Sequence, residues 1–409
     1  MDLEKPTCKS NWAYWLFGAA IFFIWFSAVF DPMGGLYNLR FLSLFSVLFC
    51  MMILTLVRPP RKISLSLPVI TILYLAVVMP FYGLLIYLVR GGWAGPFIDT
   101  SYLASAVLIL TSFIYADSRL VLRGLASMLL VLRMLVATIL CVQGSILFSL
   151  GDDWFNFFLQ RQVAFIGVRE YAGFEFPYLY FVASPLLIYL ASYDSWRLIK
   201  KPSLQSVSMC ALTVLTLGLT GTRSHMAIAV LIVPIFFLYY HKKYLMWLLP
   251  IILFALIFLF TIIPLDLLAA IFSSQEGSNS FKISMIQNYS NIFDNPISFI
   301  FGQGYNAIAW SGDLASMVGQ NSGASKSELT YLELIRVYGL IVALPFLWIL
   351  GLIYFRVIRL SKDYSWLGLA FLISLANASL NPYLFSTNGL LPLGLILSLI
   401  YLEEKPTYP

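Results

Sequence analysis

Three arginines (Arg161, Arg169 and Arg223) and one glutamate (Glu328) are the residues of this chain whose types best suit chemistry on a phosphorylated substrate. A guanidinium stays charged at any accessible pH, and its planar fork donates two parallel hydrogen bonds to a phosphate or pyrophosphate. A carboxylate held nearby can take the proton of an attacking hydroxyl. Arg223 lies in "TGTRSH", residues 220–225, between two segments apolar enough to be buried in lipid, and His225 shares that turn. Downstream, Lys282, Tyr305 and Arg336 complete the set of candidate substrate contacts.

Ordinary roles fit the same residues. Arg161 and Arg169 suit a solvated loop, Arg223 suits a side chain that snorkels to headgroups, and His225 suits a helix start. Glu328 has the sign that a helix N-terminus favours. Arg336 lies three residues after Glu333, the spacing of a helical ion pair. Arg133 falls inside an apolar run and needs a partner within the bundle, which the sequence does not name.

The elements that must position these groups follow from composition. Of 409 residues, 60% are hydrophobic and only 11% charged, which excludes a soluble domain. Many separate apolar runs reach the roughly 17–25 residues that cross about 30 Å of hydrocarbon, and the short alternating strands of an outer-membrane barrel are not visible. The expected fold is an all-α polytopic membrane protein of about twelve transmembrane helices. They are predicted at about 12–30, 41–57, 67–88, 97–115, 124–148, 174–193, 204–220, 225–240, 244–264, 331–355, 365–381 and 384–402. The first run has no small-residue cleavage site after it and reads as a retained helix. The cysteines, Cys8, Cys50, Cys141 and Cys210, have neither metal nor disulfide spacing.

Orientation comes from the basic residues. With the N-terminus inside, clusters such as Arg58, Arg61 and Lys62, Lys200 and Lys201, Lys242 and Lys243, and Arg356 and Arg359 all fall on the cytoplasmic side, which holds about twice the basic residues of the outer side. Both termini are then cytoplasmic. The net charge of +6 is spread along the ends of the spans, which argues against a nucleic-acid partner. Two outer segments are long: 149–173, which carries Arg161 and Arg169, and a large periplasmic loop at 265–330, between helices 9 and 10. The rest, 1–409, reads as a single membrane domain. No metal-ligand spacing, P-loop or Ser–His–Asp pattern is present.

Three segments resemble the bacterial O-antigen ligase and polymerase superfamily, in particular its Wzy-type polymerases. "LTLGLTGTRSHMAIAVL" is similar to that group's Thr/Ser-rich turn ending in an arginine before a helix. "NPISFIFGQGYN" is similar to the proline and Gly-x-Gly late in its large periplasmic loop. "SELTYLELIRVYGLIVALPFLWIL" is similar to its re-entry helix with a glycine about ten residues in. Together they cover roughly residues 213–350, about a third of the chain. Two departures are visible. Ligases usually carry a histidine where this chain has Glu328, which favours a polymerase, and relatives often carry an arginine where this chain has Lys282.

The resemblance implies transfer of a growing glycan from undecaprenyl pyrophosphate to a new lipid-linked repeat unit, on the periplasmic side of the bacterial inner membrane. Arg223, with Arg161 and Arg169, would hold the leaving pyrophosphate, and Glu328 would accept the proton. His225, Lys282 and Arg336 would contact substrate, and Tyr171, Tyr305 and Trp310 would stack on sugar rings. No metal or other cofactor is implied. A Wzz-type chain-length regulator and a Wzx-type flippase would be partners, besides membrane lipid. An O-antigen ligase, a flippase or another transporter, and a non-catalytic assembly partner remain open. Transporters concentrate charge near the midplane, whereas here only Arg133 lies deep.

Overall fold

The structure is a computed structural model that describes residues 11–32, 38–57, 65–89, 118–148, 153–161, 163–171, 174–241, 277–305, 329–360, 363–381 and 384–404. The spans expected at 97–115 and 244–264, together with Glu328 and Trp310, lie outside the described residues.

Long apolar runs fold as helices because lipid offers the backbone no other hydrogen-bond partner. They are α1 (Asn11–Phe30), α2 (Leu39–Val57), α3 (Leu67–Val89) and α4 (Ser118–Leu147). Then come α6 (Leu187–Lys200), α7 (Leu204–Leu219) and α8 (Arg223–Tyr240), and later α11 (Thr330–Ile358), α12 (Ser365–Ala378) and α13 (Thr387–Glu404). Between α4 and α6 lie a short helix α5 (Asp153–Gln160) and a hairpin of β1 (Ala164–Tyr171) and β2 (Phe174–Phe181). Before α11 lie α9 (Gly277–Phe293) and α10 (Pro296–Phe301). The protein is a helical membrane protein: α3, α8, α11 and residues Leu120–Ile146 of α4 are each long and apolar enough to cross a bilayer.

The all-α expectation needs one correction. Residues 174–181 were expected to begin a span, yet they form β2, antiparallel to β1 with Ala164 opposite Phe181 and Arg169 opposite Phe176. The stretch "FEFPYLYF" alternates aromatic side chains with Glu175, Pro177 and Leu179, a pattern of period two that suits a strand. Pro177 has no N–H to give a ladder and is tolerated because the sheet has only two strands. The helix therefore starts at Leu187, after a single 3-10 turn at Ser184–Leu186.

Helix α6 is the centre of the bundle, packed by α4, α7, α8 and α12. It is buried from Leu187 to Ser192 and again at Asp194 and Ser195, as expected for a helix surrounded by others. Its partner α7 starts with a reciprocal cap, in which the Ser206 amide donates to Ser203 Oγ (3.1 Å) and the Ser203 amide to Ser206 Oγ (2.8 Å). The deep charge finds its partner here. Arg133 of α4 donates two hydrogen bonds to Asp194 of α6, with Nη1 at 2.7 Å from Oδ2, and Thr213 of α7 donates to the same Oδ2 at 2.7 Å.

The glycine-rich segment "FGQGY" docks on a break in α11. Gly339 has φ 65° and ψ 172°, so the carbonyls of Arg336 and Val337 lose their helical donors. The amides of Gln303 (2.6 Å) and Gly304 (3.0 Å) take those places. The approach is so close that a Cβ on Gly302 would lie 2.5 Å from the Gly339 nitrogen. Beyond it the Tyr305 ring covers Gly83 of α3, and its hydroxyl is 3.0 Å from that of Tyr338. The second and third segments that carry the family resemblance are thus packed against each other.

Candidate functional site

The turn between α7 and α8 is built around Gly221, at φ 72°. A Cβ there would sit 2.1 Å from Cβ of Tyr178, so only glycine lets the hairpin lie against the turn. Tyr178 in turn covers Gly167 of the opposite strand. Tyr180, two residues on, stacks on His225 with ring centres 6.4 Å apart.

His225 is fully buried. The Thr220 hydroxyl donates to the Leu217 carbonyl (2.8 Å), which leaves His225 Nδ1 to donate to Thr220 Oγ1 (2.9 Å). Nε2 then accepts from the Asn377 amide at 3.4 Å. With both nitrogens engaged inside the bundle, the ring fixes the turn to α12. Arg223 opens α8, half-buried between Thr222 and Ser224.

A second network continues from this turn to the start of α11. The Asn381 amide donates to Ser224 Oγ (3.2 Å) and to the Asn377 carbonyl (3.3 Å) and Oδ1 (3.4 Å). Its backbone carbonyl accepts from Thr330 Oγ1 at 2.8 Å. Tyr331 adds a bond to the Leu375 carbonyl at 2.7 Å. Arg223 precedes Ser224, and Glu328 lies two residues before Thr330, so the arginine turn and the segment leading from the glutamate meet through α12 and the residues after it. No family model, curated protein or solved structure matches this chain.

The other expected contacts are distributed as follows. Arg161 closes α5 with its guanidinium 4.9 Å from the centre of the Phe157 ring. Arg169 is held at a defined register in β1, opposite Phe176 and two residues beyond Gly167, which packs under Tyr178. The hairpin thus joins the Arg169 strand to the Arg223 turn. Lys282 is half-buried on α9. Tyr305 is buried between α3 and α11, with its hydroxyl 3.0 Å from that of Tyr338.

Arg336 is almost fully enclosed. Its Nε and Nη2 donate to Glu333 at 2.7 and 2.5 Å, and Tyr289 of α9 donates to the same carboxylate at 2.8 Å. The i, i+3 pairing is the arrangement present, and the Tyr289 bond to its carboxylate ties α9 to α11.

Asn377, Asn381 and Thr330 were not singled out in the sequence. The signal that marks the two asparagines is their four-residue spacing in "LANASLNP", one helical turn apart in an otherwise apolar span; nothing in the sequence marks Thr330.

Proposed function

We propose that the chain is a glycosyltransferase of the O-antigen polymerase type, acting at the periplasmic face of the inner membrane. The twelve-span topology with both termini cytoplasmic belongs to this proposal. The observation that carries it is the hydrogen-bonded link from Ser224 through Asn381 to Thr330, which sets Arg223 near the segment that follows Glu328. A phosphate-binding cation linked to the helix that follows a candidate proton acceptor suits transfer from a lipid-linked pyrophosphate.

In that reaction the hydroxyl at the non-reducing end of a lipid-linked repeat unit attacks the anomeric carbon of the growing glycan. Its proton passes to Glu328. The bond between the anomeric carbon and the pyrophosphate oxygen breaks, and the electron pair leaves on undecaprenyl pyrophosphate, whose charge Arg223 meets. Arg161 and Arg169, on the segment joined to the same turn, extend the positive surface for the donor.

The experiment replaces the chromosomal copy with Arg223→Ala or Glu328→Gln and resolves the lipopolysaccharide on a gel. Each change is expected to cut polymerisation about 10²-fold, the usual loss when one charge-stabilising or proton-transfer group is removed, leaving single-repeat lipopolysaccharide. Arg223→Lys should also impair it, since an ammonium lacks the fork. A normal ladder at normal expression removes that residue from the mechanism. Loss of all O-antigen from the core points instead to a ligase.

A further inference from the structure

We propose that Asn381 is a positioning residue that sets Arg223 and the Thr330 end of α11, the end that the chain enters from Glu328, in register. The proposal rests on the reading of those two residues given above. One residue here spans three helices. Its two side-chain N–H groups serve Ser224 at the start of α8 and Asn377 at the end of α12, while its backbone oxygen holds Thr330 at the start of α11. The side chains involved differ in kind from the apolar packing around them, so the link is directional: a shift along any of the three axes breaks a bond instead of sliding a contact.

Asn377 extends the same device. Its Oδ1 accepts from Asn381 and its Nδ2 donates to His225, so the His225 end of the "TGTRSH" turn is tied to the α12 end, and Thr220 is tied to it through His225. Arg223 lies between these two anchored residues, Ser224 on one side and the Thr220–His225 bond closing the turn on the other. The guanidinium is therefore carried on a backbone held at Ser224 by the Asn381 side-chain amide, while the backbone carbonyl of the same residue holds Thr330 at the start of α11. Asp or Ala at position 381 keeps the carbonyl that accepts from Thr330 but loses the bond to Ser224, because neither has a side-chain N–H donor.

The test uses purified full-length protein and purified lipid-linked repeat units. Asn381→Ala and Asn381→Asp should each lower kcat about tenfold while KM stays within about twofold and the melting temperature is unchanged. In an Arg223→Lys background the same changes should cost much less than tenfold, because the arginine they position is already gone. A wild-type rate, a loss that multiplies fully with Arg223→Lys, or a fall in melting temperature that accounts for the lost activity would each overturn the proposal.

A readout independent of turnover separates this from the functional reading. Spin labels at Ala227 on α8 and Ile341 on α11, both exposed, should give a single distance that broadens in Asn381→Ala. If the wild type polymerises nothing but the distance broadens, the reading of function fails and the bridge stands. An unchanged distance removes the bridge.

Discussion

Gly339→Ala is expected to prevent accumulation of folded protein, with a loss of more than about 3 kcal/mol in stability. Two costs combine. At φ 65° and ψ 172° the backbone is in a region open essentially to glycine alone. A Cβ would also fall 2.2 Å from the Ile300 carbonyl and 2.5 Å from the Gly302 nitrogen, and backbone atoms held by their own hydrogen bonds cannot yield as a flexible side chain would. The segment would have to leave the break, exposing the carbonyls of Arg336 and Val337 that Gln303 and Gly304 now satisfy. Gly351 in the same helix is the control. A Cβ there meets nothing within 4 Å, so Gly351→Ala should leave stability unchanged or raise it, alanine being the better helix former. Melting of the detergent-solubilised variants checks both, and equal melting temperatures for the two would refute the role given to the break.

The buried ion pair should show the second large effect, and an unequal one. Asp194 is 1% exposed and the Arg133 side chain 25%. Arg133→Ala strands a carboxylate in the interior with only Thr213 as donor, and should cost about 3–5 kcal/mol. Asp194→Ala leaves a guanidinium that can still reach polar surroundings along its stem, and should cost less. Replacing both by leucine should recover much of the loss, since two well-packed apolar residues avoid desolvation altogether. The same melting measurement decides it: an Asp194→Ala variant less stable than Arg133→Ala would reverse the assignment of which charge is trapped. The pair matters beyond stability because α4, α6 and α7 lead to or from the segments bearing Arg161, Arg169 and Arg223.

Long apolar runs gave most helices to within a few residues, since a lipid-exposed backbone has few alternatives. The hairpin was missed because eight residues rich in aromatics read equally as strand or as the start of a span, and hydropathy alone does not separate them. The arginines were legible as rare charges in the connections. Their mutual placement was not, because it depends on Gly221 admitting Tyr178 and on Asn381 reaching Ser224, contacts made over long sequence separations. Arg336 shows the converse: its type suggested a phosphate ligand, and in the fold its Nε and Nη2 donate to Glu333 one turn away, a carboxylate that also accepts from Tyr289 on a distant helix.

Helix α3 contains a π-helical turn, Tyr74–Val78, between two α-helical halves. Such a turn adds about one residue to the winding, which rotates everything after it by about 100°. That rotation delivers Gly83 beneath Tyr305 and leaves Tyr82 to donate to the Phe301 carbonyl at 2.9 Å. The half-turn works as a phase adjuster: α3 cannot gain or lose a single residue ahead of Gly83 without presenting a bulky neighbour to the loop, so its length is constrained even where its side chains face only lipid.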